Sequence, residues 1–314
     1  MDRKATWVRV TKAAPCPVCG RPDWCGRSAD GVVVRCTRIE SPKASTGRDG
    51  SSAWIHRLTE PLPPITPTKK PAKVSRIEWA RRAAEMFKHP QAEKRREELS
   101  ALLGVSVQSL VDLEVGVGFD YDGNWFWAFP ERDVRWCPVG IKRRYPDGAQ
   151  KHMPGATPGL YMVRDWWLNP GPVFLPEGGS DTAALLTMGL CAVGRSSNTG
   201  SIERLIGLLM DCTHKPVVVL GENDRKPERV GTSAQCPKRC KGCSWCWPGR
   251  YGAMMTADRL TQSLGRTCYH RMVADAKDTR EWVGKFGAEP VAFVTSLGVP
   301  KSWLKSIDVL ATSR

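Results

Sequence analysis

Two apolar stretches of this chain end in acid. "VFLPEGGSDTAALLTMGL", residues 173–190, runs from a short strand through Glu177, two glycines and Asp181 into a helical pattern. "VVVLGENDRK", residues 217–226, carries an apolar strand to Gly221 and continues at once with Glu222 and Asp224. A helix N-terminus accommodates one carboxylate through its dipole and free amides, and Asp181 fits that place as an N-cap. It does not require a second, and Glu177 stands on the strand side of the turn. If the two strands are neighbours, Glu177, Glu222 and Asp224 meet in one small volume, where carboxylates repel one another unless a cation neutralises them. Oxygen ligands on flexible turns suit Mg²⁺, which keeps waters and shares its shell with phosphates. That is the arrangement of metal-assisted phosphoryl transfer. Taken singly, each acid also reads as a solvated loop residue or a cap.

Twelve cysteines form a second source of chemistry, and eight of them fall into two tight groups. "CPVCGRPDWCGRSADGVVVRC" supplies Cys16, Cys19, Cys25 and Cys36. A C-x-x-C knuckle sets two thiolates on a tight turn at a separation suited to tetrahedral Zn²⁺. Cys25 is taken as the remaining ligand, with His56 in "AWIHRL" as the alternative if Cys25 only packs. "CPKRCKGCSWCWPGR" holds Cys236, Cys240, Cys243 and Cys246 among basic residues, and reads as another zinc site. Its intervals match none of the common ferredoxin runs, which places an iron–sulfur cluster well behind zinc. The scattered Cys137, Cys191, Cys212 and Cys268 read as small buried apolar residues.

The elements that must position these groups follow from local pattern. Residues 1–59 form a zinc-binding unit containing the strand-like "GVVVRC", and the prolines of "EPLPPITPTKKPAK" make 60–75 an extended linker. Residues 76–123 are helical, broken at Pro90 and ended at Gly104, with a short helix in "SVQSLVDLE". From 124 to 170, "NWFWAFP", "RWCPVGIKRR" and "KHMPG" read as short strands of a basic β subdomain. From 171 to 290 strand and helix alternate, which predicts an α/β unit with a parallel or mixed sheet flanked by helices. The cysteine group at 234–248 interrupts it, and 291–314 forms a C-terminal helical tail.

The formal charge of +15 points to a polyanionic partner, most simply nucleic acid. No long apolar run or basic amphipathic helix ending in aromatics indicates a membrane. The start lacks an apolar stretch of signal-peptide length, so a cytoplasmic, nucleoid-associated setting is expected, where cysteines stay reduced. Thirteen tryptophans interleave with Arg and Lys. Most should pack in cores, with Trp245 or Trp247 the candidates for stacking on bases.

"PEGGSDTAALLTMG", "VVVLGENDRK" and "DAKDTREWV", in that order, resemble the Toprim domain of DNA primases and topoisomerases, whose signature is an E-G-x-x-D turn followed by a strand ending in D-x-D. The likeness runs from about 171 to 285, and Glu222 stands where that family has the first aspartate. Upstream, "FPERDVRWCPVGIKRRYPDGAQKHMPGATPGLY" resembles the basic subdomain preceding Toprim in primases. The resemblance therefore implies a bacterial or phage-type primase with a zinc ribbon that holds template. It implies that Glu177 sits closest to the reacting 3′-hydroxyl, that Glu222 and Asp224 hold Mg²⁺ or Mn²⁺ with it, and that Asp181 supports them. Lys142, Arg143, Arg144 and Lys151 would meet nucleoside triphosphate and single-stranded DNA. Lys277 and Asp278 read as a charged surface turn. The second cysteine group reads as an insertion where the family has a short connection. With no G-x-x-x-x-G-K-[ST] loop in the sequence, a replicative helicase would be a separate partner, as in a phage, plasmid or other mobile element. The alternative is a non-catalytic zinc and Toprim DNA-binding protein of the recombination-mediator type, against which the basic subdomain argues. A nuclease or topoisomerase ranks last, since no tyrosine nucleophile stands in an evident context.

Overall fold

The computed structural model describes residues 7–46, 52–64, 74–169, 171–231, 236, 240 and 243–303. The middle of the proline-rich linker, parts of the cysteine group at 234–248, Lys238 among them, and the tail beyond 303 lie outside the described residues. The chain divides into two compact units, Met1–Pro71 and Ala72–Arg314.

The first unit is a five-stranded antiparallel sheet in the order β1-β2-β3-β5-β4, built from β1 (Trp7–Arg9), β2 (Gly26–Ser28), β3 (Val33–Cys36), β4 (Ala44–Thr46) and β5 (Ser52–Arg57). Its core is Val10, Val34 and the buried cysteines Cys16, Cys25 and Cys36. Thiols make up most of that core, and so small a unit needs a crosslink or metal to hold it. Cys25 Sγ lies 3.7 Å from Cys19 Sγ and 3.9 Å from Cys36 Sγ, close to the separation of about 3.8 Å that sulfurs adopt on a tetrahedral zinc. All four thiols could hold one ion. His56 is not among them, which corrects the alternative ligand: its Nε2 lies 2.9 Å from the Ile39 carbonyl oxygen. Burial pushes the Cys16 thiol up to about 12 and raises that of Cys36, whereas that of Cys19, against its burial, is lowered by hydrogen bonds from Arg21 and the neighbouring thiols. Cys16→Ser is expected to remove one zinc per chain and to reduce amide-exchange protection in β2, β3 and β5 to that of an unfolded segment. Full protection in the variant would exclude a structural metal here.

The second unit opens with α1 (Arg76–Phe87), α2 (Ala92–Leu103) and α3 (Val107–Asp112). Local signals set their ends. The Ser75 hydroxyl accepts from the Glu78 amide at 3.2 Å. Gly104, at φ +68°, supplies the left-handed turn that closes α2. A six-stranded antiparallel sheet follows from β6 (Gly116–Phe119), β7 (Trp125–Arg132), β8 (Pro138–Arg144), β9 (Gln150–His152), β10 (Leu160–Met162) and β12 (Val193–Arg195), in the order β12-β10-β7-β8-β9 with β6 also on β7. The other sheet is parallel, β11-β13-β14, from β11 (Val173–Leu175), β13 (Val217–Gly221) and β14 (Cys268–Met272). Its helices are α4 (Gly178–Thr187), α5 (Ile202–Leu209), α6 (Pro248–Leu264), α7 (Thr279–Phe286) and α8 (Pro290–Ser296).

All five residues of β13 are buried, as a parallel strand covered on both faces requires. Its side chains divide by the period of two. Val217 and Val219 enter a core with Leu205, Leu209, Ala253 and Leu260, whereas Val218 and Leu220 enter one with Ala183, Trp282 and Phe293. Cys191, Cys212 and Cys268 are buried as expected, and Cys137 is half-buried. No described helix is long and apolar enough to cross a membrane.

Candidate active site

β11 and β13 are parallel neighbours, with Leu175 opposite Val219. Their carboxyl ends therefore lie side by side, where ligands of open α/β sheets bind. Glu177, rather than Asp181 as expected, is the N-cap residue of α4, because the helix already starts at Gly178, and Glu222 follows β13 directly. Burial raises the Glu177 carboxyl above its usual value; Arg195 and Lys142 oppose the shift and Asp224 adds to it. Burial likewise pushes Glu222 up to about 7, with Glu177 the first of the neighbouring charges that reinforce it.

The three carboxylates whose oxygens lie within 4.8 Å of one another are Asp181, Glu222 and Asp278. Of the acids expected to share an ion, Glu222 belongs to this set, while Glu177 and Asp224 flank it through the electrostatic contacts just given. Asp181, on the first turn of α4, accepts at 3.1 Å from the Arg280 amide at the start of α7. Asp278 caps the same helix by accepting from the Glu281 amide at 2.8 Å. Burial, then Asp278 and Glu222, raise the Asp181 carboxyl well above the carboxylate range. Three acids packed this closely are the donor set a hard divalent cation fits.

Asp278 is only 5% exposed, which corrects its reading as a surface turn. Asn223 explains the difference: its Nδ2 donates to Val273 O at 2.7 Å and Ala276 O at 2.8 Å, and its amide donates to Lys277 O at 2.7 Å. The residue between Glu222 and Asp224 thus holds the segment that carries Asp278. Lys277 Nζ is 3.9 Å from Glu222 Oε2 and 3.7 Å from Asp278 Oδ2. Asp224 Oδ1 accepts from the Gly249 amide at 2.9 Å, at the start of α6.

Arg195, wholly buried at the end of β12, escaped the sequence reading. Its Nε donates to Leu175 O at 3.2 Å, its Nη2 to Leu220 O at 2.8 Å and its Nη1 to Asn198 O. One guanidinium therefore joins the carboxyl ends of β11 and β13 beneath the acids. Burial lowers it to about 10, while Glu177, Glu222 and Asp181 act in the other direction. The signal in the sequence was a lone cation closing the apolar "CAVGR".

The four expected cations of the β subdomain separate by strand alternation. Lys142 lies opposite Phe129 and His152, on the face turned toward the acids, and its Nζ donates to Ser196 O at 3.2 Å. Arg144 shares that face, where burial and the nearby Arg280 lower its guanidinium from the usual value. Arg143 and Lys151, paired across β8 and β9, take the other face with Tyr145. Trp136 is packed between Arg132 at 3.8 Å and Arg164 at 4.3 Å. Trp247 lies beneath Arg225 at 5.8 Å and Arg250 at 5.7 Å.

A raised carboxyl pKa has a definite sign. Between the unfolded value near 4.5 and the folded value near 7, rising pH strips stability from the metal-free protein, because the ionised form is the one the fold disfavours. Glu222→Gln is therefore expected to match wild type at pH 4.5 and to be more stable at pH 8.5 without divalent ions, by on the order of 2 kcal/mol. Denaturant melts at both pH values in chelator check this. A difference that does not change with pH would remove the buried charge from the account.

No family model matches the sequence, and no curated protein matches it by sequence search. Solved structures do match. The Escherichia coli primase catalytic core is similar with a TM-score of 0.50 at 16% identity, over 70% of this chain and 78% of that one. The RNA polymerase domain of Mycobacterium tuberculosis primase, in complex with double-stranded DNA, gives 0.48 at 14% identity over 70% and 78%. The primase fragment of the bacteriophage T7 primase-helicase protein gives 0.43 at 12% identity over 90% and 96%. The likeness to the E. coli core shows a mixed α/β fold of the kind found in primase catalytic cores.

Proposed function

We propose that the protein is a DNA primase that synthesises short oligonucleotides on single-stranded DNA by metal-dependent nucleotidyl transfer. The observation that carries this is the cluster of Asp181, Glu222 and Asp278 at the carboxyl end of the parallel sheet, whose oxygens lie within 4.8 Å of one another, with Lys142 of the antiparallel sheet reaching the Ser196 carbonyl beside it at 3.2 Å. An acid at the mouth of a parallel sheet and a cation from the antiparallel one face the same space, beside further acids. In this reading 171–290 is a Toprim-like catalytic domain, 124–170 its basic β subdomain and 1–59 the zinc-binding domain, while 76–123, expected to be helical, ends instead in the strand β6.

Glu222, Asp278 and Asp181, with Asp224 and Glu177 at the margin, would hold Mg²⁺ or Mn²⁺. When bound, such an ion neutralises triphosphate charge and lowers the pKa of an attacking hydroxyl. The Glu177 carboxylate receives the proton of the 3′-hydroxyl as its oxygen bonds the α-phosphorus. Pyrophosphate leaves with the electron pair of the broken P–O bond. Lys142 Nζ and the Arg144 guanidinium take the triphosphate oxygens from the opposite wall. The +15 charge supports the remaining backbone contacts, so binding should weaken steeply with salt.

The test is incorporation of labelled ribonucleotides and deoxynucleotides on single-stranded DNA with Mg²⁺ or Mn²⁺, with Glu177→Ala as the control. Oligomers made by wild type alone support the reading. Tight DNA binding without product under any metal overturns it in favour of a non-catalytic binder.

A further inference from the structure

The second cysteine group lies where its effect on the acids is direct. Cys236 Sγ is 3.6 Å and Cys243 Sγ 3.4 Å from Cys246 Sγ, and the Cys243 amide donates to Cys240 Sγ at 3.2 Å. These are spacings of thiolates on one tetrahedral zinc. Between Leu220 and Ala253, the described residues bury no apolar side chain other than Cys236 and Cys246. With so little apolar burial among the described residues, a crosslink through sulfur would add to the Asn223 hydrogen bonds in ordering this stretch.

That stretch includes Asp224 near its start. The Lys226 amide donates to Cys246 O at 2.8 Å, which ties the chain just past Asp224 to a zinc-ligand residue. Three residues after Cys246, the Gly249 amide donates to Asp224 Oδ1 at 2.9 Å. A Cβ at Gly249 would itself stand 2.9 Å from that oxygen and from Glu222 Cβ, so the first turn of α6 rests on the acidic segment with no room to spare. Ala253 is the first residue of α6 to bury an apolar side chain, one turn further on. The first turn is therefore held from its cysteine side, helped by Asn198, whose Nδ2 donates to Pro248 O at 3.2 Å.

We propose that Cys236, Cys240, Cys243 and Cys246 form a structural zinc site whose occupancy fixes the position of Asp224, and thereby sets the affinity of the acidic site for its divalent cation. The coupling rests on the metal-binding role given to the acids above. It runs through a continuous chain: sulfur ligands, the Cys243–Trp247 turn, the Gly249 amide and the Asp224 carboxylate.

Full-length protein is assayed for zinc by elemental analysis and for Mn²⁺ binding by the electron paramagnetic resonance of the free ion. Wild type is expected to carry two zincs. Cys243→Ser should carry one and bind Mn²⁺ at least ten-fold more weakly. Cys19→Ser, in the other unit, should also carry one zinc yet bind Mn²⁺ as wild type does. Gly249→Ala should keep both zincs and lose Mn²⁺ affinity. Cys243→His, which returns a ligand, should restore both readouts and separates the effect from misfolding. Wild-type Mn²⁺ affinity in a Cys243→Ser protein that has lost its zinc overturns the coupling. A wild type with iron or a single zinc overturns the site. If Mn²⁺ binds wild type and Glu222→Gln equally weakly, the acidic site itself falls, and the coupling with it.

Discussion

Glu177→Gln is expected to lower the turnover of the proposed primer synthesis by about 10³-fold while single-stranded DNA affinity changes less than about two-fold. The amide keeps the shape of the side chain and its place before α4, so packing is not the cause. It removes the proton acceptor that follows β11 at the start of α4. General acid–base catalysis by a positioned side chain contributes about 10²–10⁴-fold, which sets the expected size. The effect should fall on kcat, because the proton moves only as the bond forms. Single-turnover extension with a preformed primer isolates that step. Retention of more than a tenth of the wild-type rate would remove Glu177 from proton transfer and leave it a purely electrostatic part.

Arg195→Met is expected to destabilise the second unit by about 3–5 kcal/mol, a magnitude seen when one partner of a buried charge network is removed. The methionine fills comparable volume, but the carbonyl oxygens of Leu175, Asn198 and Leu220 lose the guanidinium, Asn198 O alone keeping a second side-chain donor in Thr256 Oγ1. Each buried acceptor left without a partner bears its own desolvation cost. Glu177, Glu222 and Asp181 also lose a buried cation that counters them. For a unit of this size the expected fall in Tm is about 10 °C. Calorimetry in chelator measures it, and a fall of less than 2 °C would show that the guanidinium is dispensable to the sheet ends.

Much of the fold was legible because its signals are local. Ser75 with Glu78, Pro90, Gly104 and Ser106 mark helix ends through groups a few residues apart. The alternation from 171 onward gave strands and helices in the right order, and the strand carrying Glu177 proved to be the neighbour of the one preceding Glu222. Partner choice was less legible. The "CAVG" strand falls within the alternating run, yet β12 pairs antiparallel with β10 and touches β11 only through isolated bridges. Side-chain period says which face a residue takes, but not which strand lies beside it.

The acidic site was half legible for the same reason. Acids at strand ends announce themselves, whereas Asp278 becomes buried only because α7 starts against Asp181 and Asn223 draws its loop in. Arg195 looked like the end of a strand because its partners are backbone oxygens, which carry no trace in residue type. In the first unit, Cys25 against His56 was settled by which side chains reach one point in space, a matter of pairing rather than spacing.

The Glu222–Asn223–Asp224 triplet has a consequence for how this site can vary. In extended backbone, neighbours point to opposite sides, so two acids one residue apart share a side and leave the residue between them facing away. Here that outward amide works as a rivet, gripping the distant loop while its neighbours serve the site. Adding or deleting one residue in this stretch would turn the rivet toward the acidic cluster and the acids toward the loop. The spacing is therefore less tolerant of length changes than of substitution, even of one acid for the other.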